Sequence, residues 1–185
     1  MASVAASWAK RATTNARLLW HLRPLGARLE AGSGLYVEGL LWVPGEGRVV
    51  LGRGVRFLGG RVPIELRAHA GAEIVVGDDV VLEAGASIEA TRSVRVGAGA
   101  HLGAFSKVLD NHFHRTIGDR GERPEAAPIV IGERAVLGPR AVLLPGASLG
   151  ARARVAAGRV VSFRMPDGME LRTDLRAESS TGGTA

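Results

Sequence analysis

The chain has 185 residues, a formal charge of +6, 26 glycines, eight aromatic side chains and no cysteine. That length suits one domain with appended segments, and the missing cysteine excludes a disulfide framework, a thiolate metal site and a cysteine nucleophile. With 46% hydrophobic residues the chain is apolar enough to fold, whereas its few aromatics and many small residues point to a thin, repetitive core.

The charge is concentrated at one end. Residues 1–29 hold Lys10, Arg11, Arg17, Arg23 and Arg28 and no acid, a net of +5; the remaining 156 residues hold 19 basic and 18 acidic side chains, a net of +1. Within this leader Val4, Trp8, Ala12, Leu19 and Leu22 recur at roughly helical intervals, and Pro24 and Gly26 would end the helix. The spacing predicts a short basic amphipathic helix in a leader spanning residues 1–31. Two roles suit it: peripheral contact with a membrane or an organelle-targeting signal through residues 1–29, and packing on the body of the protein or a neighbouring subunit. No apolar run approaches the ~20 residues of a membrane span. No apolar stretch leads to a small-residue cleavage site, so the expected location is cytoplasmic.

The body is a repeat. From Val76 aliphatic residues return every six positions, at Leu82 and Ile88 and, after a two-residue slip, at Val96, Leu102 and Val108. The phase is lost between Asp110 and Pro128 and resumes at Ile131, Leu137, Leu143, Leu149, Val155 and Val161. A less regular turn precedes it at Leu51-Gly52 and Phe57-Leu58. A period of six fits neither a helix, which returns at 3.6, nor a long strand, which alternates at 2. It fits short strands joined by tight turns, in which one aliphatic per hexad points inward and about three hexads close a coil of roughly 18 residues. The expected class is all-β, a parallel β-helix over residues 32–166. The loop 110–128 is extruded from it, and a tail, 167–185, follows whose last residues, from Ala177, are rich in Ser, Thr and Gly and expected to be disordered.

The hexads Ile131-Gly132-Glu133-Arg134-Ala135-Val136 and Leu137-Gly138-Pro139-Arg140-Ala141-Val142, with the stretch Leu143 to Gly150, resemble those of the hexapeptide-repeat, left-handed β-helix acyltransferases. Within that family the chain looks most like the maltose, galactoside and polysaccharide O-acetyltransferases, over roughly residues 50 to 163. The left-handed sense of the coil is implied by this resemblance alone, since parallel crossovers are otherwise almost always right-handed.

The interruption from Asp110 to Pro128 carries His112 and His114, one residue apart, with Asp110, Asn111 and several basic residues. Long loops in compact domains tend to be functional, and histidine is the side chain that takes and returns a proton near neutrality. Val108-Leu-Asp-Asn-His-Phe-His114 resembles the family's stretch that ends in its catalytic histidine. The resemblance implies His114 as general base for direct acyl transfer from a thioester to a hydroxyl, with backbone N–H groups holding the oxyanion. Asp110 or a backbone carbonyl would orient the imidazole. His112 stands where relatives often carry an acid; it is a second base candidate, an acceptor contact or an exposed loop residue. His21, His69 and His101 are expected to be structural or superficial.

The resemblance also implies acetyl-CoA as donor, lying along the late coils at positions that match Pro139, Ala157, Ser162 and Phe163. Relatives usually carry Lys where Phe163 stands, so a phosphate contact would move to Arg164, Arg159 or Arg154. Relatives of this kind assemble as trimers with the active site between subunits, and the expected acceptor is a saccharide or other small hydroxyl compound. Three other readings remain: N-acyl transfer to an amino sugar, a non-catalytic scaffold, and metal-dependent hydration of the γ-carbonic-anhydrase kind. The last would need His101, His112 and His114 together, and the sequence lacks that family's His-x-x-x-x-His pair; no metal is expected. Nucleic acid is not an expected partner, because the body is nearly neutral and lacks a stacking platform.

Overall fold

The computed structural model describes residues 29–112 and 125–172. The leader helix expected before residue 29, the central part of the extruded loop and the tail after Arg172 lie outside the described residues. Among the described residues there is no helix.

The described residues form eighteen strands, most of them short, that wind into stacked coils, and every pairing among them is parallel. The first face of the resulting prism contains β1 (Leu29–Ala31), β3 (Arg48–Leu51), β5 (Glu73–Val76), β8 (Ser93–Val96), β11 (Ile129–Ile131), β14 (Ser148–Leu149) and β17 (Arg164–Met165), hydrogen-bonded in that order. The other two faces share their first coils, because β2 (Tyr36–Trp42) and β4 (Arg56–Ala68) run around a corner. The second face then continues through β6 (Val81–Glu83), β9 (His101–Leu102), β12 (Val136–Leu137), β15 (Arg154–Val155) and β18 (Glu170–Leu171). The third continues through β7 (Ser87–Ala90), β10 (Lys107–Leu109), β13 (Val142–Leu143) and β16 (Val160–Val161).

The hexad explains this architecture. Its aliphatic points inward, and register places like on like: Ile131 beside Leu149, Leu137 beside Val155 and Leu143 beside Val161, each pair 18 residues apart. All six are buried, as are the small residues Ala135, Ala141, Ala147 and Ala153 at the inner corners. Glycine at the first turn position lets coils approach: a Cβ on Gly97 would lie 2.6 Å from the Glu133 nitrogen of the next coil, and one on Gly132 would lie 2.5 Å from that of Ala151. Stacking pairs the backbone of each coil with the next, so a thin core suffices. The strands extend from Leu29 to Leu171, beyond the limits of 32 and 166 suggested by the repeat.

Candidate functional site

The regular coils pass backbone N–H groups to carbonyls of the next coil, as Gly77 N–H does to Val96 (2.8 Å) and Gly97 N–H to Ile131 (2.7 Å). The corner at Thr91-Arg92-Ser93 is different. Here the two-residue slip inserts extra chain, and the following coil answers with a side chain instead of carbonyls. Asp110 is fully buried; its Oδ1 accepts the Thr91 N–H (2.7 Å) and hydroxyl (2.9 Å), and its Oδ2 accepts the Arg92 (2.7 Å) and Ser93 (2.8 Å) N–H groups. A carboxylate has about four lone-pair sites, and all are filled.

This anchor sits where the chain leaves the solenoid. The Ala127 N–H, on the returning segment just before β11, donates to the Asp110 carbonyl (2.9 Å), and the Gly146 N–H of the next coil donates to the Ala127 carbonyl (3.1 Å). Asn111 Nδ2 donates to the Thr91 hydroxyl oxygen (3.1 Å), and the Arg92 guanidinium reaches the Ala126 carbonyl (3.4 Å). The two feet of the excursion are therefore tied to each other and to the coils on either side. His112 follows on the outgoing foot and is exposed. His114, the expected base, lies outside the described residues.

The residues expected to touch the donor flank one face. Pro139 and Ala157 occupy successive coils at the corner between the second and third faces, where the Gly158 N–H donates to the Pro139 carbonyl (2.8 Å). Ser162 and Phe163 occupy the corner between the third and first faces, the same corner as Asp110 and His112, two coils further on. Between the two corners lie Val142 and its register partner Val160. Val160 (56% exposed) and Phe163 (45%) present apolar surface to solvent there. Arg164 lies across the corner on the first face, in an open groove of about 710 Å³ shared with Val130, Ser148 and Asp167.

The remaining described histidines are held by carboxylates. His69 Nε2 lies 2.8 Å from Glu89, and His101 Nε2 lies 2.8 Å from Glu83, whose other oxygen accepts the Ala104 N–H (2.9 Å). His101 is on the second face and His112 at the far corner, so the two do not meet within one chain, and the described residues of that chain contain no cluster of three metal-ligating side chains. The Thr91–Ser93 turn was not among the expected site residues. Its signal in the sequence was the slip between Ile88 and Val96.

The family model for the hexapeptide repeat of succinyl-transferase matches residues 68–90 and 128–162, on both sides of the interruption. Both matched stretches carry hexads of the six-residue period. Among solved structures, the polySia-specific acetyltransferase NeuO is similar at 16% identity over 81% of this chain and 84% of its own, with a TM-score of 0.52. The polysialic acid O-acetyltransferase OatWY is similar at 12% identity over 82% of this chain and 94% of its own, with a TM-score of 0.50. The shared fold is the left-handed parallel β-helix. No curated protein matches the sequence significantly.

Proposed function

We propose that the protein is an acetyl-CoA-dependent O-acyltransferase acting on a saccharide hydroxyl, with His114 as general base. The observation that carries this reading is the anchored interruption of the hexapeptide solenoid. A histidine-bearing excursion leaves at a corner fixed by buried Asp110, on the same edge as Ser162 and the exposed Phe163. The similarity to two acetyltransferases of sialic acid polymers supports a saccharide acceptor.

In this reading the imidazole of His114 takes the acceptor hydroxyl proton as its oxygen attacks the thioester carbonyl. Backbone N–H groups hold the tetrahedral oxyanion. Its collapse breaks the C–S bond, and the leaving CoA sulfur recovers the proton from the imidazolium, which restores the base. No covalent enzyme intermediate is required, consistent with a chain that has no cysteine. Pantetheine would run along the third face past Val142 and Val160, between Pro139 and Ala157 on one side and Ser162 and Phe163 on the other, with Arg164 beyond. With the Asp110 oxygens occupied by the Thr91–Ser93 turn, orientation of the imidazole falls to a backbone carbonyl. Asp110 then serves by holding the base of the excursion.

The test is CoA release from acetyl-CoA with a panel of neutral, acidic and amino sugars. His114→Ala is expected to lower the rate about 10²- to 10⁴-fold, the usual contribution of a positioned general base; an unchanged rate would refute the assignment. Acceptors reacting only at an amino group would favour N-acyl transfer instead.

A further inference from the structure

Basic side chains are paired unevenly along the described coils. In the earlier coils Arg48, Arg53, Arg67, Arg92 and Arg95 each meet a carboxylate, whereas Arg56, Arg61 and Lys107 meet none among the described residues. Between residues 134 and 166 the sequence holds six arginines and neither Asp nor Glu, and none of the six pairs with a carboxylate among the described residues. Four of them frame the second face. Arg134 and Arg152 stack on successive coils at its corner with the first face, where the Arg152 N–H donates to the Glu133 carbonyl (2.7 Å). Arg154 projects from β15 beside Val136, and Arg140 closes the opposite corner with its guanidinium 6.0 Å from the Phe105 ring. All four are exposed. Of the neighbouring acids, Glu170 is taken by Arg172 (2.8 Å), and Glu133 lies on the first-face side of Arg134.

The backbone adds an independent observation. Arg134 (φ 54°), Arg140 (φ 56°) and Arg152 (φ 57°) adopt the left-handed conformation, which residues with a Cβ disfavour and glycine enters freely. The same corners in other coils use glycine at Gly54, Gly99 and Gly168, in line with Arg134 and Arg152, and at Gly85 and Gly158, in line with Arg140, while Asp79 (φ 55°) and Phe105 (φ 59°) adopt the same conformation along these two lines. The solenoid therefore carries three guanidiniums where its own backbone would be easier with no side chain.

We propose that this face of the late coils docks an acidic glycan, so that the acceptor of the acyl transfer proposed above, on which this inference rests, is a carboxylate-bearing polysaccharide. Arginine suits the task because its planar fork meets a carboxylate through two parallel hydrogen bonds. Charges repeated at intervals of one coil, about 4.8 Å, suit a linear chain with regularly spaced carboxylates. A nucleic acid would want a platform of open aromatic surfaces for its bases, whereas the aromatic at this face is Phe105, at its edge, with the Arg140 guanidinium 6.0 Å from its ring.

The experiment measures binding of the full chain to polysialic acid and to polygalacturonate, with dextran and single-stranded DNA as controls and CoA titrated separately. The variants are Arg134→Gly/Arg152→Gly, which removes charge where glycine relaxes the backbone, and Arg134→Lys/Arg152→Lys, which keeps charge. The expected result is salt-dependent binding of both acidic glycans and none of dextran, weakened about tenfold or more in the glycine variant and by less in the lysine variant, which keeps the charge and loses the fork, with CoA affinity unchanged in both. Equal binding by wild type and glycine variant, no binding of either acidic glycan, or tighter binding of DNA would overturn the proposal. Glycan binding without CoA binding would remove the acyl-transfer reading and leave the surface standing. CoA binding and turnover without glycan binding would remove the surface alone.

Discussion

Asp110 shows what a single residue contributes and how far its role can be read in advance. Its type and place beside two histidines marked it as functional, yet the partners that define it lie one coil earlier, in a turn whose only trace in the sequence is a lapse of period. A lapse says that something intrudes and nothing about what it binds. With four hydrogen bonds converging on one buried carboxylate, Asp110→Ala would strand three backbone N–H groups. Each unsatisfied buried donor costs about 1–3 kcal/mol. The expected loss is about 3 kcal/mol or more in denaturant unfolding, with acyl transfer falling as well because both feet of the excursion share this anchor. A variant as stable as wild type would show that the carboxylate does not hold the turn. For His112 the sequence offers substrate contact or solvent, and its exposed position on the outgoing foot suits both.

Among elements, regular hexads were the most legible and altered coils the least. From Val76 onward each aliphatic expected to point inward is buried, because a constant coil length lets periodicity report directly on packing. The second coil is longer: Val49 pairs with Ile74 and Phe57 with Leu82, each 25 residues apart, and the register of β2 on β4 shifts at Gly39. An insertion of that kind destroys a fixed period without destroying the pairing. The first strand, Leu29–Ala31, offers a single aliphatic and no repeat to recognise. Close stacking makes a sharp prediction: Gly97→Ala, whose Cβ would meet the Glu133 nitrogen at 2.6 Å, is expected to lose about 1–3 kcal/mol and to lower the melting temperature. No change in melting would mean that the coils can separate easily.

The ion pairs between coils give a pH dependence. The Arg53 N–H and guanidinium both bind the Asp78 carboxylate (2.8 and 2.7 Å) and hold it below the usual carboxylate range, the backbone N–H contributing most. A depressed carboxylate stabilises the fold above the unfolded value of about 3.9, and that contribution disappears as pH falls through the lower folded value. Asp78→Asn is therefore expected to melt below wild type at pH 6, with the gap closing in acid. A gap that persisted or widened at pH 2.5 would contradict the pairing. Both groups meet solvent, so a small effect is expected.

At the scale of the whole molecule, net charge misleads unless it is placed. The body sums to +1 outside residues 1–29, which argued against nucleic acid as a partner, yet among the described residues none of the six late-coil arginines meets a carboxylate, whereas five of the earlier ones do. Net charge averages over surfaces that a ligand would meet one at a time. A slender prism with one exposed histidine-bearing corner does not by itself enclose a substrate, since ligand sites are usually concave and bury most of their occupant. We accordingly expect a homotrimer with the site completed between subunits. Light scattering should give three times the monomer mass of 19.3 kDa, and an active monomer would contradict that assembly.

The claim that the late coils carry an acyl-CoA site is tested most directly by calorimetric titration of the intact protein with CoA and acetyl-CoA. One binding event per chain is expected, weakened by Ala157→Trp, which would fill the corner beside Pro139. A folded protein that gives no binding signal with either ligand would contradict the account and leave a solenoid scaffold in its place.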